Sequence, residues 1–484
     1  MIDMANFVIE FPLRTEIYQE DILNKRFEIG RNIYNALIKV TQKRYKEMIK
    51  TKQYRHLMSS LSDDKNLNKI LWKQINCIRK EYGMSEYAFH RDVKAMQHHF
   101  KDNIDAHTAQ KIASALWKSY EKFFYGKGKQ VHFKKYGELN SLEGKSNKSG
   151  IRIINDMLVW KGLKIPIDID YDNDYEAQAM EHDICYSRIV RRAHKCKYKF
   201  YVQIVFNGQP PIKYNQSTGE VRHPSGTGKV GLDIGPSTIA IVSHQDVKLL
   251  ELADRVHDIE KQKQLLLRKM HRSRRATNID NYNKDGMIKK SKKWVRSNHY
   301  NKALARLKEL YNKQARIRKE QHEILANYII SLGDEIYVET MNFAGLAKKG
   351  KLETNADGRY KRRKRFGKSI GNRAPAMLID IINRKLSYYN CSINKINTIK
   401  ARASQFNHID GTYIKKSLSQ RWAKVGNKDI QRDIYSAFLI MNINNDLSTF
   451  NIETCNAEFE HFCKLHDIEI ERLKHCYNLK SIGI

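Results

Sequence analysis

Residues 229–243 read KVGLDIGPSTIAIVS, and this stretch decides the fold class of the second half of the chain. Two apolar runs flank a Gly-Pro-Ser turn, a pattern typical of neighbouring strands. A single acid, Asp233, stands inside the first run. A buried charge costs free energy unless a partner offsets it, and a metal ion is a natural partner. Taken alone, Asp233 is explained equally well as a turn or capping acid.

Two further acids occupy similar positions later in the chain. In GDEIYVETMNFAGL (residues 333–346) a short predicted strand ends at Glu339. In SQRWAKVGNKDIQRDIYSAFLIMN (residues 419–442) Asp433 stands at the head of an apolar predicted helix. Magnesium prefers oxygen ligands, and two such ions about 4 Å apart can activate water for phosphodiester hydrolysis. The three acids together therefore predict a candidate metal-dependent site.

The charge of the chain indicates a nucleic-acid partner. The 484 residues carry a net charge of +35, with an apolar content of 41% that is enough for a packed core. Residues 261–320 hold 20 Lys and Arg against 4 Asp and Glu, and residues 348–368 hold 10 against 2. Such an unbalanced charge is typical of surfaces that bind phosphates, and a merely solvated basic surface is the alternative.

The sequence also predicts where the chain works. It contains no run of about 18 apolar residues that would span a membrane, and its N-terminus does not resemble a secretion signal. The seven cysteines are scattered and odd in number, which favours reduced thiols in a cytoplasmic compartment. We therefore expect a cytoplasmic protein.

Hydrophobic periodicity divides the chain into three predicted parts. An alternating strand over residues 5–14 precedes a helical region that runs to residue 125, in which an aromatic stripe (Trp117, Tyr120, Phe123, Phe124) indicates core packing. Short alternating runs after Gly126 predict the antiparallel strands of a small β-barrel. Turn-forming residues over 208–229 predict a linker, after which the third part begins.

The order GLDIG, VETMN and QRDIYSAF resembles the split RuvC-like nuclease domain, an RNase H fold, of TnpB proteins and type V CRISPR effectors. The resemblance covers essentially the whole chain. It implies an α+β multidomain fold in which a β-barrel wedge domain with a helical recognition insertion precedes a RuvC-like nuclease domain. The implied boundaries are 1–15 for the wedge strand, 16–125 for the recognition insertion, 126–215 for the wedge barrel, 216–229 for a linker, 230–400 for the nuclease domain with a basic helical insertion at 254–331, 401–430 for a degenerate nucleic-acid-binding ribbon, and 431–484 for the C-terminal part of the nuclease.

The resemblance also implies a function. Asp233, Glu339 and Asp433 would be catalytic acids that bind two Mg²⁺ ions, and Arg432 would brace a carboxylate or stabilise the scissile phosphate. The partners would be a guide RNA and a double-stranded target DNA, and the protein itself would read only a short motif beside the target. We therefore expect a magnesium-dependent RNA-guided DNA endonuclease.

Basic and polar residues acquire expected roles within this family. Two basic sets are predicted to contact nucleic-acid backbones, with the second guiding single-stranded DNA. They are Arg272, Arg274, Arg275, Lys292 and Lys293, and then Arg362, Arg363, Lys364 and Arg365. A third set mixes donors and acceptors and is predicted to read the adjacent duplex motif. Its members are Lys73, Gln74, His107, Thr108 and Gln110.

The sequence departs from the family at its zinc ribbon. Ser404 and Gln405 are retained, but the segment has no cysteine and offers only His408, so we expect no structural zinc. Aromatic and aliphatic packing would then hold the segment, through Phe406, Tyr413, Leu418 and Trp422. Near the C-terminus, buried structural thiols are favoured over a metal site for the group Cys455, Cys463, His466 and Cys476. A second departure is Tyr435, where many relatives carry Asn.

Three alternatives stay open at this point. A transposase or integrase also uses an RNase H fold with three acids, a non-cleaving RNA-guided repressor would bind without hydrolysis, and a ribonucleoprotein scaffold would need the charge but not the acids. The sequence leaves undecided the origin of the guide in a CRISPR array or a transposon end, the need for a second RNA, the adjacent motif, the cleavage pattern, and whether the chain is a monomer or a homodimer.

Overall fold

The computed structural model describes residues 6–62, 64–194, 197–289, 293–348, 350, 353–355, 357–358, 366–415, 417 and 420–475. The chain divides into two compact units, residues 1–212 and 213–484. The first unit combines a long helix with antiparallel sheets, and its elements in chain order are β1 (Asn6–Pro12), α1 (Ile17–Met48), α2 (Lys52–Ser59), α3 (Lys65–Glu81), α4 (Glu86–His99), α5 (Ala106–Phe124), β2 (Ser141–Glu143), β3 (Arg152–Ile154), β4 (Met157–Trp160), β5 (Leu163–Pro166), α6 (Asp174–Met180), β6 (Ile184–His194) and β7 (Lys197–Asn207).

The aromatic stripe of α5 lies in the core of the first unit, as its helical spacing predicts. Tyr120 and Phe124 are buried. Phe89 of α4 makes edge-to-face contacts with Trp117 and Tyr120, with ring centroids 5.7 and 5.6 Å apart. The Tyr120 hydroxyl also forms a 3.0 Å hydrogen bond with Thr41 of α1. These contacts fasten α1, α4 and α5 together.

The described strands of the first unit do not form the closed barrel that the sequence predicted. They form a four-stranded antiparallel sheet in the order β1-β7-β6-β2 and a separate three-stranded sheet, β3-β4-β5. The larger sheet ends at β2 because only Ser141–Glu143 pair with β6, and Leu142 of β2 packs beside Gly30 of α1. Strands β3, β4 and β5 pair with one another in a sheet of their own, so the described strands of this unit do not join into one closed sheet.

The second unit is built around a mixed sheet. Its elements in chain order are β8 (Lys229–Ile234), β9 (Thr238–Ser243), β10 (Val247–Glu251), α7 (His257–Thr277), α8 (Asn298–Leu332), β11 (Glu335–Glu339), α9 (Phe343–Leu346), α10 (Gly367–Arg373), α11 (Pro375–Ser387), β12 (Asn394–Ile396), α12 (Thr398–Ala401), β13 (Trp422–Val425), β14 (Lys428–Gln431), α13 (Arg432–Met441) and α14 (Ile452–Lys474), with short 3₁₀ turns at Asp254–Val256, Ile279–Asn281 and Ala403–Gln405.

Five strands of the second unit pair in the order β10-β9-β8-β11-β12. Strand β9 is antiparallel to both β10 and β8, whereas β8, β11 and β12 run parallel to one another. One face buries Val230, Leu232 and Ile234 against α8 and α11. The other face packs against α13 and α14. Because both faces are covered, the strands are almost continuously apolar, and the half-buried Asp233 stands out in β8.

Helix α13 lies unusually close to the sheet at Gly231. A Cβ atom built on Gly231 would collide with the backbone of α13 at Ala437 and Met441. Only glycine therefore permits the backbones of β8 and α13 to approach this closely. Since Asp233 follows in β8 and Asp433 begins α13, this approach helps to set where two of the predicted acids lie.

Helices α7 and α8 form a long antiparallel hairpin that extends from the sheet. Met270 of α7 packs against Ala303 and Leu307 of α8 in a small core of its own. The loop between them is held by Asn278, whose side chain forms a pair of hydrogen bonds with the backbone of Val295, at 2.9 and 2.8 Å. None of the described helices, including the 35-residue α8, is long and apolar enough to cross a membrane.

Gly231→Ala should destabilise the second unit by about 3 kcal/mol, at the upper end of the usual cost of overpacking, because backbone atoms must move to admit the new methyl group. Urea unfolding of the full chain measures the loss. Gly371→Ala is the matched control, since a Cβ there meets nothing within 4 Å and the residue lies in helix α10. Equal stability of the two variants would contradict the close approach of α13.

Candidate functional site

Asp233 and Glu339 are brought to the same edge of the sheet by two neighbouring parallel strands. The register of β8 and β11 pairs Leu232 with Val338. Asp233 and Glu339 are the next residues of their strands, and both are half-buried. Because successive residues of parallel strands stay in step, the two carboxylates occupy neighbouring positions. The sequence prediction that these acids meet at strand ends therefore agrees with their placement.

The acids influence one another electrostatically. Burial raises the pKa of Asp233 well above its usual value, and the charges of Glu339 and Asp433 raise it further, while Arg432 and Arg421 act in the opposite direction. Burial also raises the pKa of Glu339 to about 7. Desolvated carboxylates that share a site resist simultaneous ionisation. A divalent cation would relieve this repulsion, which makes the site chemically suited to bind one.

The beginning of α13, where Asp433 lies, is fixed by hydrogen bonds of Gln431, two residues before it. The Gln431 side chain accepts the backbone N–H of Ile434 at 2.9 Å and so caps the helix. The backbone N–H of Gln431 donates to Nε2 of the buried His466 at 3.1 Å. An acid in the first turn of a helix is favoured by the helix dipole. The capped turn therefore holds Asp433 in one position.

Two arginines bind the Asp433 carboxylate. Arg432 donates from Nε and Nη2 to Oδ1 at 3.1 and 2.9 Å. Arg421 donates from Nη1 to Oδ2 at 3.1 Å. Its backbone carbonyl also accepts the N–H of Arg432 at 2.8 Å. Both oxygens of the carboxylate are thus engaged, and Arg432 braces it in one of the two ways that the sequence predicted.

Arg421 is a site residue that the sequence reasoning missed. It precedes β13, which pairs with β14 so that Trp422 lies opposite Gln431. This register places Arg421 beside Arg432. The signal was present in the sequence, because Gly426 and Asn427 between two alternating runs indicate a two-residue hairpin. Counting outward from that turn would have found it.

The side chains at this site are of the types that bind Mg²⁺, but three of them are not arranged around one ion position. Three carboxylates supply the oxygen ligands that Mg²⁺ prefers. Within the described part of the chain, however, no group of three His, Cys, Asp or Glu side chains is disposed to hold a metal ion. Asp433 is turned to its arginines instead. For Mg²⁺ to bind all three acids, the Asp433 carboxylate would have to release its arginines.

The segment predicted to be a degenerate ribbon, residues 401–430, is held by aromatic packing and one buried polar pair where the structure describes it. Nδ1 of His408 lies 2.7 Å from the hydroxyl of Tyr435, which also accepts the His408 backbone N–H at 3.1 Å. Burial lowers the pKa of His408 to about 4, so the ring is neutral. Leu418 lies outside the described residues. The other predicted packing residues make ring contacts, which are Phe406–Tyr413 at 4.8 Å, Phe406–Phe450 at 4.9 Å and Trp422–His466 at 6.2 Å.

The C-terminal cysteines are core residues where the structure describes them. Cys455 and Cys463 are buried in the cluster formed by α13 and α14. Both ring nitrogens of His466 have hydrogen-bond partners. Nε2 accepts the backbone N–H of Gln431, and Nδ1 lies 2.9 Å from the carboxylate of Asp467. Cys476 lies outside the described residues. This placement agrees with the interpretation of Cys455 and Cys463 as structural thiols.

The predicted phosphate-contacting residues differ in their availability. Arg272 and Lys293 are exposed. The guanidinium of Arg274 lies over the ring of Trp294 at 5.1 Å, and that of Arg275 over Tyr282 at 5.2 Å. Arg274 therefore contributes partly to packing the loop. Five of the predicted residues lie outside the described residues, namely Lys292, Arg362, Arg363, Lys364 and Arg365.

The residues predicted to read a duplex motif lie on two helices of the first unit. Lys73 and Gln74 are exposed on α3. On α5, Gln110 is half-buried, and His107 forms a 2.8 Å hydrogen bond with Ser149. Thr108 requires correction, because it is fully buried. Its N–H and hydroxyl both donate to Asp105, at 2.9 and 2.6 Å, so it belongs to the cap of α5 and is not available to bases.

Comparison with known proteins gives similarity to solved structures alone. No protein-family model and no curated protein matches the chain. The "Cryo-EM structure of the Cas12f1-sgRNA-target DNA complex" is similar over 90% of this chain and 98% of that one, with 10% identity and a TM-score of 0.40. The "Cryo-EM structure of CRISPR-Cas12f Ternary Complex" is similar over 87% and 81%, with 13% identity and a TM-score of 0.26. Both TM-scores are below 0.5, so the function proposed for this chain rests on its own residues.

Glu339→Gln should stabilise the chain in the absence of divalent ions and remove its stabilisation by Mg²⁺. Because folding raises the pKa of Glu339 to about 7, stability is lost as the pH rises from the usual Glu range through 7. Gln is neutral throughout, so we expect a gain of about 1–3 kcal/mol at pH 8 and a smaller one at pH 5. Urea unfolding at both pH values, with and without Mg²⁺, measures the two effects.

Glu335→Gln is the control for this experiment, because Glu335 lies on the same strand and is exposed. It should leave both the pH dependence and the response to Mg²⁺ as in the wild type. If Glu339→Gln behaved like Glu335→Gln, the three acids would not share a site.

Arg421→Gln should strengthen Mg²⁺ binding about fivefold, because a metal would no longer compete with one of the two arginines for Asp433. Thermal unfolding across a Mg²⁺ titration measures the affinity without depending on activity. Lys424→Gln removes a positive charge from the same hairpin at an exposed position that does not contact Asp433 and serves as the control. Equal affinities in the two variants would show that the Arg421 contact does not restrain the carboxylate.

Proposed function

We propose that this chain is an RNA-guided DNA endonuclease that hydrolyses phosphodiesters with Mg²⁺. The observation that carries the proposal is that the paired strands β8 and β11 bring Asp233 and Glu339 to neighbouring positions. The charges of Glu339 and Asp433 both raise the pKa of Asp233, although about a hundred residues separate each acid from the next in sequence. The mixed sheet that positions Asp233 and Glu339 is compatible with the RNase H fold that the sequence resemblance implies. The strongly basic hairpin of α7 and α8 supplies the charge that a nucleic-acid partner requires.

The three acids would hold two Mg²⁺ ions, which supply an activated water and neutralise charge on the phosphate when bound. The chain itself contributes position and charge. The capped start of α13 orients Asp433, and the buried edge of the sheet keeps water from screening Asp233 and Glu339. Arg421 and Arg432 hold Asp433 in the absence of other partners. Once Asp433 is released, the same guanidinium groups would bind an oxygen of the scissile phosphate.

The partners we propose are a guide RNA and double-stranded target DNA. Sequence recognition would come from base pairing, while exposed cations of α7 and α8 contact the backbone without regard to sequence. The basic run at 359–365 would guide a single strand, and the exposed pair Lys73 and Gln74 would contribute to reading an adjacent motif. The protein would work in the cytoplasm at the nucleoid, without a structural zinc.

A second candidate function is RNA-guided DNA binding without cleavage. It is favoured by a specific observation, which is that both oxygens of Asp433 are bound by arginines. A chain that kept this pairing permanently would bind nucleic acid but not load metal. The cleavage assay below distinguishes this repressor from the nuclease, since only the nuclease loses an activity when an acid is replaced.

Asp233→Ala, Glu339→Ala and Asp433→Ala should each reduce DNA cleavage in Mg²⁺ by at least about a thousandfold, because each removes a metal ligand. Binding of DNA complementary to the guide should change less than about threefold, since base pairing and the basic hairpin are untouched. The assay uses the chain with its co-purified RNA, whose sequence identifies the guide and the target.

Asp429→Ala, at an exposed position of β14 close to Asp433 in sequence, is the matched control and should cleave at the wild-type rate. Near wild-type cleavage by Asp433→Ala would refute the assignment of the acids. Binding without any cleavage by the wild-type chain would instead favour the repressor.

A further inference from the structure

The outer face of α7 carries two adjoining grooves that the predicted phosphate contacts do not explain. The first, of about 450 Å³, is lined by Leu265, Arg268, His271 and Arg272. The second, of about 590 Å³, shares Arg272 and continues past the end of the helix to Lys284. Together they follow one side of α7 and the turn that comes after it, which we call the α7 groove.

The α7 groove combines positive charge with an exposed apolar floor. Residues 265, 268, 272 and 276 recur at helical spacing on α7, and Ile279 follows in the next turn. Two arginines, Arg268 and Arg272, are thus flanked on both sides by apolar residues. Leu265 is 62% and Ile279 is 73% exposed. Contact with phosphates alone does not require apolar side chains that are exposed to water. The exposed Ile279 therefore indicates a ligand with an apolar face as well as negative charge.

The second groove also holds an aromatic ring in a fixed position. The guanidinium of Arg275 lies over the Tyr282 ring, and a Cβ on Gly286 would contact the end of the Arg275 side chain. Tyr282 in turn makes an edge contact with Trp294, with ring centroids 5.8 Å apart. Arg275, Tyr282 and Ile279 all line the second groove, which therefore presents a guanidinium, an aromatic ring and an apolar side chain together. Aromatic rings and guanidinium planes stack on nucleobases.

We propose that the α7 groove binds an unpaired segment of the guide RNA, with Arg268 and Arg272 on its phosphates and an unstacked base against Ile279 and Tyr282. This inference rests on the proposed function and adds a site to it. A duplex cannot be the ligand of the apolar floor, because its bases are stacked inside the helix. A single-stranded segment offers both the base face and the phosphate charge that the groove matches.

The position of the groove favours RNA over the displaced DNA strand. At 1.5 Å per residue, Leu265 lies about 12 Å and Thr277 about 30 Å along α7 from its start beside the sheet. A strand that is to be cut must reach the acids at the sheet. The second groove lies at the end of α7 away from the sheet, which suits a part of the complex that is held and not cut, such as an unpaired loop or bulge of the guide RNA.

Ile279→Ser tests the base contact, and Arg272→Gln tests the phosphate contact. The matched controls are Ile324→Ser and Arg306→Gln, which change equally exposed residues on α8 outside the groove. The probes are a single-stranded RNA of mixed sequence of roughly 12 nucleotides, the same sequence as an RNA duplex, and the same sequence as single-stranded DNA. Binding to the full chain, freed of co-purified RNA, is measured by fluorescence anisotropy at several salt concentrations.

We expect Ile279→Ser to weaken single-stranded RNA binding about fivefold or more and to leave duplex binding unchanged. Arg272→Gln should weaken binding of both RNA probes and lower the salt dependence by about one counterion. In the wild type, ultraviolet cross-linking of the single-stranded RNA followed by mass spectrometry should modify residues 276–284. This readout stands even if a variant folds poorly.

Three results would overturn the inference. They are equal binding by Ile279→Ser and Ile324→Ser, tighter binding of single-stranded DNA than of RNA, and a change of mass in solution for Ile279→Ser, which would assign the exposed patch to a second copy of the chain. If the α7 groove does not bind RNA, the intact complex should still cleave DNA. Failure of the proposed function instead appears as a complex that cleaves no DNA, whatever the groove binds.

Discussion

The close approach of α13 to β8 is the constraint on which the rest of the second unit depends. Gly231 removes the side chain that would otherwise separate the two backbones. The helix can then bury its apolar residues directly on the sheet, in the cluster that also includes α14. Since Asp433 is the second residue of α13, the same contact determines how near its carboxylate comes to Asp233. The absence of a side chain at Gly231 therefore affects both the packing of α13 and the position of Asp433.

The site then shows how this constraint is balanced electrostatically. Placing three acids at a half-buried sheet edge raises the pKa of Asp233 and of Glu339. Two arginines offset part of the cost by binding Asp433, and they reach it because a hairpin precedes α13. The repulsion within the acidic cluster is therefore partly offset by the ion pairs of Asp433 with Arg421 and Arg432. Such balanced repulsion is typical of functional sites, where stability is given up for reactivity.

Local patterns singled out the three acids, and long-range contacts explain what those patterns missed. Asp233, Glu339 and Asp433 were singled out because an acid inside or beside an apolar run breaks a pattern that the sequence itself displays. Arg421 was missed because its role depends on strand register. Thr108 was misjudged because capping by Asp105 leaves no periodic signal. The predicted barrel was wrong because alternation predicts strands but not how they pair, and here β3, β4 and β5 form a sheet of their own.

The net charge of the chain divides into two populations with different consequences. Arg26, Arg191 and Lys263 are buried and bound by the protein itself, as when Arg191 donates to Glu28 at 2.8 Å and Lys263 to Gln314 at 2.8 Å. These cations stabilise the fold and are not available to a ligand. Arg272 and its neighbours on α7 have no comparable acidic partner among the described contacts. Composition alone counts both populations together, so the strength of a nucleic-acid interface follows from exposed, unneutralised charge, and in this chain that charge is concentrated on the hairpin of α7 and α8.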